Sequence, residues 1–405
     1  MPRAGQVKPS TDERLSDRVA IGLLTRTFTP AAVDAAVAST ERGEVRSRLL
    51  PARVTVYYVL AMCLFAGQGY EEVMRLLVGG LEWLGRWRRP WTVPSTAAIA
   101  KARVRLGAEP LRALFDATVR PLATDTTRGA WYRGLRLVAI DGATLDVPDT
   151  AENDEHFGRP GSSRGEGKGA FPQVRLVGLA ECGTHAVFAA ALGPYSSAER
   201  ALAGEVIGSL RPGMMLMADR GFTSYELWRT AAVTGAQLLW RASATFNLPV
   251  LEVLPDGSYL SRLVPGRGTQ AHKDRAQPIM VRVIEYTIDD GRAPEDEHYR
   301  LVSTLLDPDQ APAAELAELY AQRWEFENTL DELKTHQRGA KVVLRSKSPD
   351  GVAQEVWGFL LVHWAIRELM HTAALDGDVD PDRVSFIRTL RLARRTVTEQ
   401  AAFSP

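Results

Sequence analysis

Two short apolar runs in this chain each end on an aspartate. Leu135 to Ile140 leads into Asp141, Met214 to Ala218 leads into Asp219, and glycine follows within two residues in both cases. Apolar runs of this length, bounded by turn signals, read as buried strands. A carboxylate at the C-terminal rim of such a strand sits where irregular backbone can admit a ligand. Further strands fit Val174 to Ala180, Ala186 to Leu192 and Gln237 to Trp240, and helices fit Ala198 to Leu210 and Tyr225 to Val233. The resulting order, β-β-β-α-β-α-β, predicts three antiparallel strands continued by helix crossovers. That is a mixed sheet of the α/β class. Taken singly, an aspartate at a strand end is as readily a turn residue.

The flanks differ in character. Helical patterning dominates to about residue 125, with Thr29-Pro30 and Leu50-Pro51 opening helices, Ser95 or Thr96 capping another, and a break at Gly67 to Gly69. This predicts an all-α N-terminal domain over residues 1–130. Residues 245–298 carry turn signals (Pro255-Asp256-Gly257, Pro265-Gly266, Asp290-Gly291) and alternating segments such as Ile279 to Ile288, so they read as a β-rich insertion. The core is then split, 131–244 and 299–345, with a strand at Tyr299 to Leu305 and a long helix from about Pro312 to Thr335. A helical C-terminal region occupies 346–405.

Formal net charge is zero, but the charges are segregated. Trp83 to Ala108 holds six basic residues (Arg86, Arg88, Arg89, Lys101, Arg103, Arg105) and no acidic one. Lys334 to Ser348 and Arg383 to Arg395 each hold five basic residues, again without a carboxylate. A polyanion responds to local potential, so such patches are compatible with nucleic acid. Solvated helix faces are the alternative reading. In the first patch Trp83, Trp87 and Trp91 interleave with the arginines. The longest apolar stretch, Val54 to Phe65, is too short to span a bilayer and reads as a buried helix. Two cysteines, Cys63 and Cys182, without a CxxC pair, exclude a disulfide framework or zinc site and suit a reducing cytoplasm.

The helix near residue 320 is the most specific feature. Tyr320, Arg323, Glu327 and Lys334 follow the spacing Y-x2-R-x3-E-x6-K. At about 100° per residue they share a face roughly 60° wide, with Trp324 beside it. With these residues the chain resembles the DDE transposases of the insertion element 4 family. The match includes this YREK signature, the IDGAT of Ile140 to Thr144, and the ADRGF of Ala218 to Phe222. Phe171-Pro172-Gln173 and Arg383 to Phe386 also look familiar. Ala143 departs from the usual IDGT by one residue, which bears on Thr144 and not on Asp141.

The resemblance implies an RNase H-like core with a β-insertion before the last acidic helix. It implies that Asp141, Asp219 and Glu327 hold magnesium, with manganese as a substitute, and that Tyr320, Arg323 and Lys334 meet phosphates near the cut. Magnesium prefers hard oxygen donors and keeps several waters, so three carboxylates suffice. Two such ions can stabilise both the attacking and the leaving oxygen of a phosphodiester. Trp324 could stack on an extruded base or pack in the core, and Arg103 and Arg105 are candidate DNA contacts. The expected partners are double-stranded DNA, as terminal inverted repeats and target, and a second copy of the chain; the expected location is the bacterial cytoplasm, at the nucleoid. A regulatory DNA-binding protein of this fold and a magnesium-dependent nuclease that does not join strands are the alternatives.

Overall fold

Thr29, Ser95 and Ser224 each turn a hydroxyl oxygen back onto the N–H three residues on: Ala32 at 3.3 Å, Ala98 at 3.3 Å and Leu227 at 3.2 Å. These N-caps satisfy a donor that the first helical turn leaves open. They start helices α2 (Pro30–Ser39), α5 (Thr96–Leu106) and α9 (Tyr225–Val233). The computed structural model describes residues 22–44, 50–82, 93–161, 169–242, 246–265, 277–287, 298–321, 329, 332–339 and 343–396.

Contacts divide the chain into two units. One comprises Met1–Val119, Leu333–Leu369 and Ser385–Pro405; the other comprises Arg120–Glu332 and Met370–Val384. In the first, α1 (Gly22–Thr27), α2, α3 (Ala52–Leu64), α4 (Tyr70–Glu82), α5 and α6 (Glu109–Thr118) are joined by most of a long late helix and by a last helix, Phe386–Thr396. α3 is the apolar run seen in the sequence, and its residues from Val54 to Leu64 are buried. The late helix, Pro349–Asp376, crosses it closely. A Cβ added at Gly358 would lie 2.8 Å from Cys63 Sγ and 3.0 Å from Val59 Cγ1. Only glycine permits that approach. Much of the expected C-terminal region thus completes the N-terminal helical core, because α3 is apolar on every side and needs cover all round.

The second unit is built on one sheet. Its strands are β1 (Trp131–Tyr132), β2 (Leu135–Asp146), β3 (Gln173–Glu181), β4 (Val187–Pro194), β5 (Met214–Ala218), β6 (Gln237–Arg241), β7 (Glu252–Val253), β8 (Tyr259–Leu263), β9 (Ile279–Thr287) and β10 (His298–Ser303). The spatial order is β4-β3-β2-β5-β6-β10-β9-β8-β7, with β1 paired to β2. β2, β5 and β6 run parallel at the centre, and the flanking pairs are antiparallel. This is the mixed α/β sheet read from the strand order. Helices α7 (Ala151–Phe157) and α8 (Glu199–Ile207) complete this part of the chain together with α9. Trp228 of α9 meets Trp240 of β6 edge-on at 5.1 Å, a contact worth about 0.5–1.5 kcal/mol beyond area burial.

The described part of residues 245–298 forms strands β7, β8 and β9, and β9 pairs along the whole of β10 and so extends the main sheet. Arg282, fully buried in β9, fastens it by pairing with Asp256 and donating to the Ala311 carbonyl at 2.6 Å and Ser258 Oγ at 2.8 Å. The expected helix from Pro312 to Thr335 begins as α10 (Ala313–Ala321), but Glu332–Gln337 is π-helical, with Arg338 N–H reaching the Leu333 carbonyl at 3.3 Å. In an i→i+5 turn the 100° spacing of an α-helix no longer holds.

Candidate active site

Strand register brings the two aspartates together. β2 and β5 are parallel and pair Arg136 with Met214 through Ala139 with Met217, a constant offset of 217 − 139 = 78. Continued two residues, the same offset sets Asp141 level with Asp219. Side chains level with each other on adjacent parallel strands point to the same face, about 4.8 Å apart. β5 stops at Ala218 while β2 continues, paired only with β3, so Asp219 lies where the sheet opens.

Each carboxylate is held by the glycine that follows it. Gly142 N–H donates to Asp141 Oδ1 at 2.7 Å, and Gly221 N–H donates to Asp219 Oδ1 at 2.7 Å. Both aspartates are half-buried. A Cβ added at Gly221 would sit 2.9 Å from Asp219 Oδ1, closer than a carboxylate tolerates without moving. The two glycines of the sequence pattern therefore orient the acids.

Helix α8 opens against both of these turns. A Cβ added at Gly142 would meet Glu199 Oε1 at 2.9 Å, and Glu199 pairs with Arg175 of β3 at 3.1 Å. The next residue, Arg200, donates from Nε to the Gly221 carbonyl at 2.7 Å. Glu199 and Arg200 escaped the sequence reading. As the first residues of a surface helix they carry no local signal; only the packing of α8 on the sheet reveals them.

Tyr320, at the end of α10, is buried, and its hydroxyl donates to the carbonyl of Ala218 at 3.2 Å. This corrects the phosphate contact expected of it: burial turns the hydroxyl onto the backbone beside Asp219, where it braces the carboxylate's turn. Arg103 also requires correction. Its guanidinium is buried and donates to Gln354 Oε1 at 2.7 Å, Tyr70 Oη at 2.7 Å, Ser346 Oγ at 2.8 Å and the Gly351 carbonyl at 3.3 Å. It holds the helical unit together and has no face to offer DNA. Arg105 is partly exposed, reaching the Leu50 carbonyl at 3.1 Å and Glu44 at 3.4 Å. Arg323, Trp324 and Glu327 lie outside the described residues, as do the side chain of Lys334 and the segment holding Trp83, Trp87, Trp91, Arg86, Arg88 and Arg89.

Among the described residues no three His, Cys, Asp or Glu side chains cluster as a metal site. The two aspartates nonetheless fit a hard divalent cation in kind: they supply oxygen donors only, level with each other and half-exposed. No described helix is long and apolar enough to cross a membrane.

Comparison with known proteins bears on this site directly. Residues 18–116 match the insertion element 4 transposase N-terminal family, and residues 132–365 match the transposase DDE domain. The chain is 28% identical, over 93% of its length and 83% of the relative's, to transposase InsG for insertion sequence element IS4 of Escherichia coli strain K12. A distant resemblance extends to the piggyBac transposase in a synaptic complex with hairpin DNA, at 11% identity and a TM-score of 0.49, covering 95% of this chain and 80% of that one.

Proposed function

The chain belongs to the DDE transposases of the insertion element 4 group, and from that premise we propose that Asp141, Asp219 and Glu327 hold the divalent metal on which its DNA cleavage and strand transfer depend. The observation that carries this reading is the parallel register of β2 and β5, which, continued past the end of β5, sets Asp141 level with Asp219. Magnesium is the ion best suited to a donor set of carboxylates and water, with manganese as a substitute. Bound there, it supplies charge neutralisation at the attacking and leaving oxygens of the phosphodiester.

The protein's own residues do the positioning. Gly142 and Gly221 each hold one oxygen of an aspartate in place. Tyr320 fixes the backbone beside Asp219 from behind. Arg323 and Lys334 are suited to phosphates flanking the cut, Arg by a bidentate fork and Lys as a point charge, and Trp324 to an extruded base. The helical residues 1–130 and the exposed side of Arg105 would engage the element's terminal repeats. Cut-and-paste transposition must bring two element ends to one target, and the chain has a single YREK spacing, so the working form is a dimer on paired ends. Its place is the cytoplasm, where the DNA lies.

The test is Asp219→Asn in the full chain, assayed on a duplex of the element's own terminal repeat. Cleavage should fall at least about a thousandfold, as for loss of a group acting in the transition state, while duplex affinity and melting temperature stay near wild type. Retained cleavage would remove Asp219 from the site.

A further inference from the structure

We propose that Arg200 is a substrate-binding residue of this site, one that grips the DNA phosphate next to the cut. The inference rests on the assignment of Asp219 to the metal site. Arg200 is exposed, and its Nε is fixed on the Gly221 carbonyl, two residues after Asp219. An arginine anchored through Nε has a set direction, and its two terminal nitrogens form a planar fork that matches a phosphate. Among the described residues Arg200 is in no ion pair: the nearby carboxylate, Glu199, is engaged by Arg175. The two neighbours at the start of α8 thus divide the work. Glu199 seats the helix against Gly142, and Arg200 presents a cation at the rim beside Asp219.

Two exposed arginines elsewhere on the sheet unit are matched by acids, while exposed Arg211 donates to the Gly208 and Leu210 carbonyls within its own turn. Arg133 is paired with Glu315 at 2.9 Å and Arg229 with Glu226 at 3.3 Å. Arg200 is exposed like them, yet its partner among the described residues is a backbone carbonyl in the turn of a candidate metal ligand. A polyanion at the site would meet this charge, and the fixed Nε lowers the entropy lost on contact.

The experiment uses the full chain and a duplex of the element's terminal repeat, taken from the DNA flanking its coding sequence. Arg200→Gln keeps an N–H for the Gly221 carbonyl but removes the charge; Arg200→Lys keeps the charge. The glutamine variant should bind with a log-affinity against log-salt slope shallower by about one, the value for one lost phosphate contact. It should also cleave at least about tenfold more slowly in single turnover. The lysine variant should keep the wild-type slope and recover part of the rate. An unchanged slope in the glutamine variant overturns the proposal, because a residue that only braces the Gly221 turn would slow cleavage without altering the salt dependence.

A second measurement does not rely on that variant folding. Cys63 and Cys182 are buried, so R200C adds an accessible thiol. By thiol–disulfide exchange, with release of the small leaving thiol, it should couple to a duplex carrying an activated mixed-disulfide tether on the phosphate beside the cut, and not to one tethered in mid-duplex. Equal or absent crosslinking also overturns the proposal. Failure of the underlying site assignment would look different: Asp219→Asn would continue to cleave, whatever Arg200 does.

Discussion

The helical unit and the sheet unit use arginine in opposite ways. In the helical unit Arg103 is surrounded by Gln354, Tyr70, Ser346 and the Gly351 carbonyl. Arg345 donates to carbonyls just past the end of α3, including that of Gln68 at 2.6 Å. Arg394, whose pKa burial lowers, donates to the Leu64 carbonyl at 2.7 Å. Two of these residues therefore close off the C-terminal end of one helix, where orphan carbonyls and the helix dipole favour a cation. At the sheet rim, Arg200 spends one N–H on the backbone and keeps its fork outward. All four arginines look alike in sequence, and three of them fall in runs that a charge count assigns to DNA. A basic run therefore has to be divided between groups consumed by folding and groups left for a ligand.

The sharpest way to break this contrast is Arg103→Ala. Removing it takes a charged donor from buried Gln354 Oε1 and from Ser346 Oγ, whose hydroxyl still donates to Glu355 at 2.7 Å. The loss should be about 3 kcal/mol of unfolding free energy, read by denaturant titration, with no change in the salt slope of DNA binding for whatever protein remains folded. A shallower slope at full stability would return Arg103 to the DNA-binding surface.

Gly221→Ala is a milder test on the sheet side. The new methyl would crowd Asp219 Oδ1 at 2.9 Å, so the carboxylate must rotate. Cleavage should fall about tenfold, roughly 1.4 kcal/mol of transition-state stabilisation, while the melting temperature moves little. Wild-type cleavage would mean that the glycine does not orient Asp219.

The smallest effect concerns acid stability. His371 is buried, with Nε2 at 2.8 Å from Thr127 Oγ1, and burial lowers its pKa below the ordinary 6.5. The unfolded chain then binds the proton more readily than the folded one. The contribution is complete above about pH 6.5 and is lost as pH falls through the depressed folded value. His371→Gln should flatten the acid side of a melting-temperature profile below about pH 6.5. An identical profile would show that His371 titrates alike in both states.

Much of the fold could be read from short-range pattern. The runs ending at Asp141 and Asp219 became β2 and β5, the hydroxyls of Thr29 and Ser95 capped the helices they precede, and Gly67 to Gly69 separated α3 from α4. What escaped depends on partners distant in the chain. Arg103 reaches Gln354 and Ser346 across more than 240 positions, and nothing near Arg103 announces them. Alternation marks Ile279 to Thr287 as a strand without saying that its neighbour is β10. A helical wheel presumes a constant turn, and no local signal announces that Glu332–Gln337 is π-helical. The aspartates, by contrast, required only two strands of known length and a parallel register.

A sheet this long also raises a question of self-association. Every sheet edge displays unpaired backbone groups on which another chain could add a strand. Among the described strands the two edges are β4 and β7. β4 lies against α7 and α8, and β7 is only two residues long, so each edge offers a stranger little to pair with. Recruitment of a second subunit by strand addition is disfavoured on both sides. Such a molecule can accumulate on DNA at high local concentration without its largest structural element becoming a seed for aggregation.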